Sequence, residues 1–142
     1  MMADYDPNNI FAKIIAGQIP CEKIYEDHDV IAFMDIMPQA DGHCLVVPKM
    51  PSRNLLDADP KIFANLFAQV QRIAHAAKIA MQADGVTIMQ FNEPSAGQTV
   101  FHLHVHIVPR HEGVALKPHT GKMEDATKLK AHADKIRAVL QH

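Results

Sequence analysis

"FHLHVHIVPR", residues 101–110, decides how this chain is read. Histidine stands at every second position (His102, His104 and His106), with Leu103, Val105, Ile107 and Val108 between and after them. Strict alternation is strand periodicity, because successive side chains of a strand project to opposite faces. One face then carries three imidazoles, and the other an apolar set suited to packing under a helix. Such a row is a metal site, a catalytic site or surface decoration.

Spacing works against the first reading. His102 and His106 are four residues apart, so their Cα atoms are about 13 Å apart at a rise of ~3.3 Å per residue. Zinc–nitrogen bonds of roughly 2.0–2.1 Å make it hard for all three rings to reach one ion. A two-histidine site would need further ligands, and no C-x-x-C, nor any H-x-x-x-H outside the row, supplies them. Decoration suits a lone strand histidine better than three in register beside a polar, glycine-containing loop. Catalysis explains the row best. An imidazole, with an ordinary pKa of about 6.5, serves as neutral nucleophile or protonated donor in one pH range. Neighbouring rings can divide those roles: one attacks a phosphoryl centre, another stabilises its oxygens.

Working outward, "EPSAGQT" before the row is a loop, and "GVTIMQFN" before that a strand. "DADPKIFANLFAQVQRIAHAAKIAMQADG" is the clearest helix. Asp59 can cap it, Pro60 suits its first turn and Gly85 closes it. Its apolar stripe is Phe63, Leu66, Phe67, Val70, Ala74, Ala77 and Met81. "NNIFAKIIAGQIP" predicts a short helix stopped at Gly17. Strands follow at Lys23–Glu26, at Val30–Asp35 and in "HCLVVP". Leu129, Ala133, Ile136 and Leu140 predict a C-terminal helix. Pro109 is expected to end the histidine strand. Hairpin-spaced strands with one long helix give an α+β domain with a mostly antiparallel sheet.

The 142 residues suit one domain, with residues 1–9 expected as a flexible N-terminus and 111–142 as a C-terminal extension. With a net charge of −2, nothing in the composition suggests a basic nucleic-acid surface or a polybasic membrane patch. An anionic ligand must then be held by local donors. "MMADYDPNN" lacks the basic and apolar regions of a secretory signal, and no apolar run approaches the ~20 residues that span a bilayer. Cys21 and Cys44, distant in sequence, read as two free thiols in a reducing cytoplasm.

"HLHVHIV" resembles the His-φ-His-φ-His-φ-φ signature, φ being apolar, of the histidine-triad (HIT) nucleotide hydrolases and transferases. "IFAKIIAGQIP", "YEDHDVIAFMDIMPQADGHCLVVPK" and "NEPSAGQTVFHLHVHIVPR" occur in that family's order and spacing across most of residues 10–110. The resemblance implies a five-stranded sheet and a homodimer. It implies His104 as the nucleophile at a nucleotide α-phosphorus, His106 as phosphate partner, and His102 and His43 as orienting residues. It further implies that Asp35 accepts from the ribose hydroxyls, and that Phe11, Phe33 and Ile36 wall the base. Asn92, Gly97, Gln98 and Thr99 would surround the phosphate. From the residues alone, Asp35 reads as a turn former, His43 equally well as a surface residue, and each apolar side chain nearly as readily as plain core.

No cofactor is expected: the row itself supplies charge, without obligatory magnesium. Some bacterial relatives bind structural zinc through a C-x-x-C before the first helix, and "NNIFAK" has no cysteine there. Features of both the phosphoramidase and the dinucleoside-polyphosphate-hydrolase branches are present, which leaves the leaving group open. The implied protein is a cytoplasmic hydrolase of small purine nucleotides, without nucleic-acid or membrane partners. Its rivals are a nucleotide-binding scaffold with little turnover and a histidine-based metal binder.

Overall fold

The computed structural model describes residues 4–118 and 121–141. Residues 1–3 of the expected N-terminal segment, and 119, 120 and 142 of the C-terminal extension, lie outside the described residues. The chain runs α1 (Ile10–Ile15), β1 (Lys23–Glu26), β2 (Val30–Met34), β3 (Cys44–Pro48), α2 (Phe63–Ala80), β4 (Gly85–Met89), β5 (Val105–Arg110) and α3 (Ala126–Leu140). Short 3-10 turns at Leu55–Asp57, Pro60–Ile62 and Pro94–Ala96 join them. The strands form one antiparallel sheet in the order β1-β2-β3-β5-β4.

β2 and β3 are apolar on both sides and feed two different cores, whereas β5 feeds the first and carries a histidine toward the other face. Val30, Ala32 and Met34 of β2, Cys44 and Val46 of β3, and Val105 and Ile107 of β5 face the helices with Leu103. There they meet Leu66, Val70 and Ile73 of α2 and Leu129, Ala133 and Ile136 of α3. On the other side Ile31, Phe33, Leu45 and Val47 pack with Phe11 of α1. The expected alternation is therefore present, with Leu103, Val105 and Ile107 under the helices. Truncating a fully buried residue such as Ile107 to alanine costs roughly 2–5 kcal/mol.

Several expectations change in detail: α2 ends at Ala80 and Gly85 opens β4 instead of closing the helix, and β2 and β3 leave out Asp35 and His43. The regular strand starts at Val105, so His102 and His104 precede it, His102 in a bend. It also continues through Pro109, which pairs with Val86, to Arg110. Pairing between β3 and β5 stops at Cys44 and Ile107, so Pro109 sits where β5 has a neighbour on one side only. A missing N–H is tolerated at such a position. On α2 the buried stripe is Leu66, Val70, Ile73, Ala76 and Ala77, while Phe67 is exposed. Asp59 caps the 3-10 turn that leads into α2, accepting from Lys61 N–H.

Local signals set the remaining ends. Asn9 caps α1 by accepting from Ala12 N–H, and Gly17 follows it at φ +76°. Asp125 caps α3 through Thr127 N–H. Among the described residues no helix is long and apolar enough to cross a membrane.

Candidate active site

The sheet face opposite α2 and α3 carries the histidines, and they are buried: His102 and His106 are about 1% exposed, His104 7%. Surface decoration is thereby removed as a reading. A cleft of about 720 Å³, open solvent at its mouth included, borders His104 and His106. Its wall includes Phe11, Phe33, Asp35, Ile36, Leu45 and Thr99. That size and apolar lining suit a small ligand with one flat apolar part.

Hydrogen bonds assign the protons of the row. A carbonyl only accepts, so His104 donates from Nδ1 to the His102 carbonyl at 2.6 Å. In the neutral ring this leaves the lone pair on Nε2. His102 donates from Nε2 to the Pro48 carbonyl at 2.7 Å, so its Nδ1 is an acceptor. Tyr5 fills that role, with Oη 2.6 Å from His102 Nδ1. Burial lowers the His102 pKa from its usual 6.5, the Pro48 bond opposing in part. The ring is neutral near pH 7.

His43 stands just before β3, fully buried. Its Nδ1 accepts from Gln39 N–H at 3.0 Å, which puts its proton on Nε2. Nε2 points at His106 Nδ1, 2.9 Å away, and lies 3.4 Å from Asp35 Oδ2. His106 therefore accepts at Nδ1 and keeps its own proton on Nε2. The result is a pair of unlike neighbours: His104 with a lone pair on Nε2, and His106 with an N–H there. Their ring centroids are 4.9 Å apart. Phe11 holds His104 edge-on at 4.8 Å and Phe91 holds His106 at 5.6 Å.

Asp35 is both turn former and cleft residue. Its Oδ1 accepts from Met37 N–H at 2.8 Å, an Asx turn that aims the loop carrying Ile36. Asp35, His43 and His106 also bring ligand atoms within 4.8 Å of one another, a grouping that could hold a metal ion. Sequence spacing offers no such third ligand; pairing of β2, β3 and β5 supplies it. The Gln39 bond argues against its use, because His43 would have to move its proton to Nδ1 and lose that donor.

The loop before the row is fastened from beneath. Gln98, 4% exposed, donates to the Arg53 and Val100 carbonyls and accepts from Asn54 and Glu93 N–H. All four amide positions are engaged with protein, so Gln98 shapes the loop. Asn92 likewise accepts from Leu55 N–H and pairs with Gln90. Gly97 turns the chain at φ +100°. Of these residues Thr99 reaches the cleft wall. Glu93 sits at φ +77°, unusual for a side-chain-bearing residue, and is clamped by both Arg53 nitrogens and by Asn54.

Sequence reasoning did not find Tyr5, Arg53, Asn54 or Glu93. Tyr5, Arg53 and Glu93 act through side-chain partners 40 or more positions away. Asn54 has a local signal, the capping box it forms with Asp57, but its bonds to Glu93 and Gln98 span 39 and 44 positions. The cysteines are free, as expected; burial pushes the Cys44 thiol up to about 12, so it stays protonated.

Comparison with known proteins agrees with this geometry. The HIT domain model matches residues 16–113. The chain belongs to the HIT family. A crystal structure of a Hit-like protein involved in cell-cycle regulation from Bartonella henselae is 56% identical, with a TM-score of 0.90 over 96% of this chain and 99% of that one. Protein hit of Bacillus subtilis is 42% identical over 73% of this chain and 72% of its own length. Adenylylsulfatase HINT3 of Arabidopsis thaliana is 33% identical over 89% of this HIT chain and 64% of its own.

Proposed function

We propose that this HIT protein is a nucleotide hydrolase acting at the α-phosphorus of purine nucleoside phosphoramidates or dinucleoside polyphosphates. One observation carries the reading: the Nδ1–H of His104 is tied to the His102 carbonyl, so the lone pair sits on Nε2 at the cleft, beside the His106 N–H.

His104 Nε2 attacks phosphorus, the N–P bond forms and the bond to the leaving group breaks. The positive charge of the nucleotidyl-imidazolium is borne by a ring whose Nδ1–H already faces a carbonyl dipole. His106 Nε2–H stabilises the phosphoryl oxygens. The leaving group departs with the bonding electron pair and takes a proton from solvent. Water then attacks phosphorus on the side away from the ring and gives a proton back to solvent. The N–P bond breaks with its electrons returning to Nε2, and the nucleoside monophosphate leaves with His104 neutral again. The base lies against Phe11 and Phe33, and Asp35 accepts from the ribose diol. The similarity to an adenylylsulfatase adds sulfate as a leaving group to compare.

A homodimer is part of this proposal. Phe67 and Ile79 of α2 and Ile88 of the edge strand β4 are large apolar side chains left exposed by the protomer.

The test is a panel assay of adenosine and guanosine phosphoramidates, diadenosine polyphosphates and adenylyl sulfate. Turnover of at least one class, releasing nucleoside monophosphate, is expected. Tight binding across the panel with no turnover would make the protein a nucleotide-binding scaffold instead.

A further inference from the structure

We propose that Tyr5 is a positioning residue for the histidine row, and that the segment ahead of α1 is a working part of the site. The proposal rests on His104 as nucleophile. It goes beyond that reading by assigning a task to a residue outside the triad, the cleft and the phosphate loop.

The argument starts from His102, whose side chain does not border the cleft. Its contribution is its backbone carbonyl, which holds His104 Nδ1–H at 2.6 Å. That carbonyl stays in place only if residue 102 cannot rotate. His102 precedes β5, so the sheet ladder does not fix it. Leu103 N–H on the Ser52 carbonyl holds the peptide that follows it, and two side-chain bonds hold its ring. Nε2–H is anchored on the Pro48 carbonyl at the end of β3, and Nδ1 receives Tyr5 Oη–H. With one ring nitrogen on a carbonyl, a neutral imidazole must accept at the other, and Tyr5 supplies that donor. The Tyr5 ring also stands edge-on to His102, with centroids 5.5 Å apart.

The segment between Tyr5 and α1 is itself shaped to deliver the hydroxyl. Asn8 N–H donates to Asp6 Oδ1, and Asn9 Nδ2 to the Asp6 carbonyl, while Asn9 Oδ1 caps α1. One residue pair further on, Phe11 lies against His104. The segment thus grips the row twice, at His102 through a hydrogen bond and at His104 through a ring face. Losing the hydroxyl leaves the second grip and removes the first. His102 Nδ1 would then be a buried acceptor without its donor, and the ring would gain by exchanging tautomer or rotating.

The test compares full-length wild type with Tyr5→Phe, which keeps the ring and deletes the hydroxyl. Nitrogen-15 NMR of the imidazoles reads the His102 tautomer without any substrate. Wild type should show one tautomer, protonated at Nε2; Tyr5→Phe should show exchange between tautomers. Steady-state kinetics on the best substrate of the panel should show kcat lowered about tenfold with KM within about twofold. An unchanged tautomer overturns the proposal, as does an unchanged kcat, since Tyr5 would then only pack. A fall in kcat that merely tracks a lower melting temperature, with the tautomer intact, overturns it too. If wild type turns over nothing while the tautomer shift is present, the hydrolase reading fails and the Tyr5–His102 clamp stands.

Discussion

His43 Nε2 lies 2.9 Å from His106 Nδ1, and the direction of that hydrogen bond is set by the Gln39 N–H on the far side of the His43 ring. The bond decides which nitrogen of His106 presents a proton to the cleft. His43→Ala removes the donor and lets His106 take either tautomer. We expect kcat to fall about 10–100-fold, the range typical of losing the partner that orients an imidazole. Nucleotide affinity, read by calorimetry, should change little.

His104→Ala should nearly abolish turnover while binding persists. Asp35 and the Phe11–Phe33 wall hold the ground state, whereas the N–P bond forms only during reaction. Rapid quench of the wild type should trap nucleotide on an imidazole nitrogen, labile in acid. Near-normal turnover in the variant would make water the direct nucleophile.

Asp35→Asn keeps an oxygen for Met37 N–H and so keeps the Asx turn, but removes the charge. Hydrogen bonds to a charged acceptor are worth about 1.5–3 kcal/mol. Affinity for ribonucleotides should drop about 10–100-fold by that measure. Affinity for a 2′,3′-dideoxy analogue, which has no diol to lose, should barely move. Equal losses for both would make the carboxylate a structural residue alone.

Gly42 precedes His43 at φ +85°, and a Cβ there would stand 2.5 Å from Met81 Cγ and 3.1 Å from Pro109 Cγ. Met81 can swing aside, but the left-handed backbone cannot be relieved. Gly42→Ala should cost about 1–3 kcal/mol in urea unfolding. Since His43 is next in the chain, kcat should decline with it.

Stability should fall on mild acidification. Burial depresses the His102 pKa below 6.5, so below that pH the unfolded chain binds a proton that the native state refuses. Stability is whole above 6.5 and is lost as pH falls from there toward the depressed native value. His132, also depressed by burial, acts in the same window. Glu26 and Glu93, held low by Lys23 and Arg53, weaken the fold only from about 4.5 downward. The melting temperature of wild type should therefore drop between pH 7 and 5. His102→Gln, which cannot titrate, should flatten part of that slope.

What the sequence made legible was what repeats or alternates. The histidine–apolar alternation predicted both faces of the sheet, and the spacing of Leu129, Ala133 and Ile136 predicted α3 and its buried stripe. The strand bounds were less accurate, because Asp35 and His43 flank their strands in a linked loop, Asp35 N–H bonding the His43 carbonyl. Local pattern could not show that His43 meets His106, 63 residues on, or that Tyr5 meets His102 across 97. Those contacts depend on strand order and on where the chain crosses over, and neither leaves a periodic trace. The Arg53–Glu93 clamp was hidden likewise: a charged pair looks like solvated surface until pairing shows what lies between.

Three residues of the cleft wall, Phe11, Phe33 and Leu45, belong to the smaller of the two apolar cores. Phe11, Ile31, Phe33, Leu45 and Val47 pack together on a face that α2 and α3 never cover. A flat apolar ligand seated against Phe11, Phe33 and Leu45 would extend that interior into the cleft. Binding then adds to folding free energy by mass action, about 2.7 kcal/mol at a hundredfold excess over Kd. The ligand thus becomes a conditional structural component, and the lifetime of the folded protein a gauge of how much ligand surrounds it.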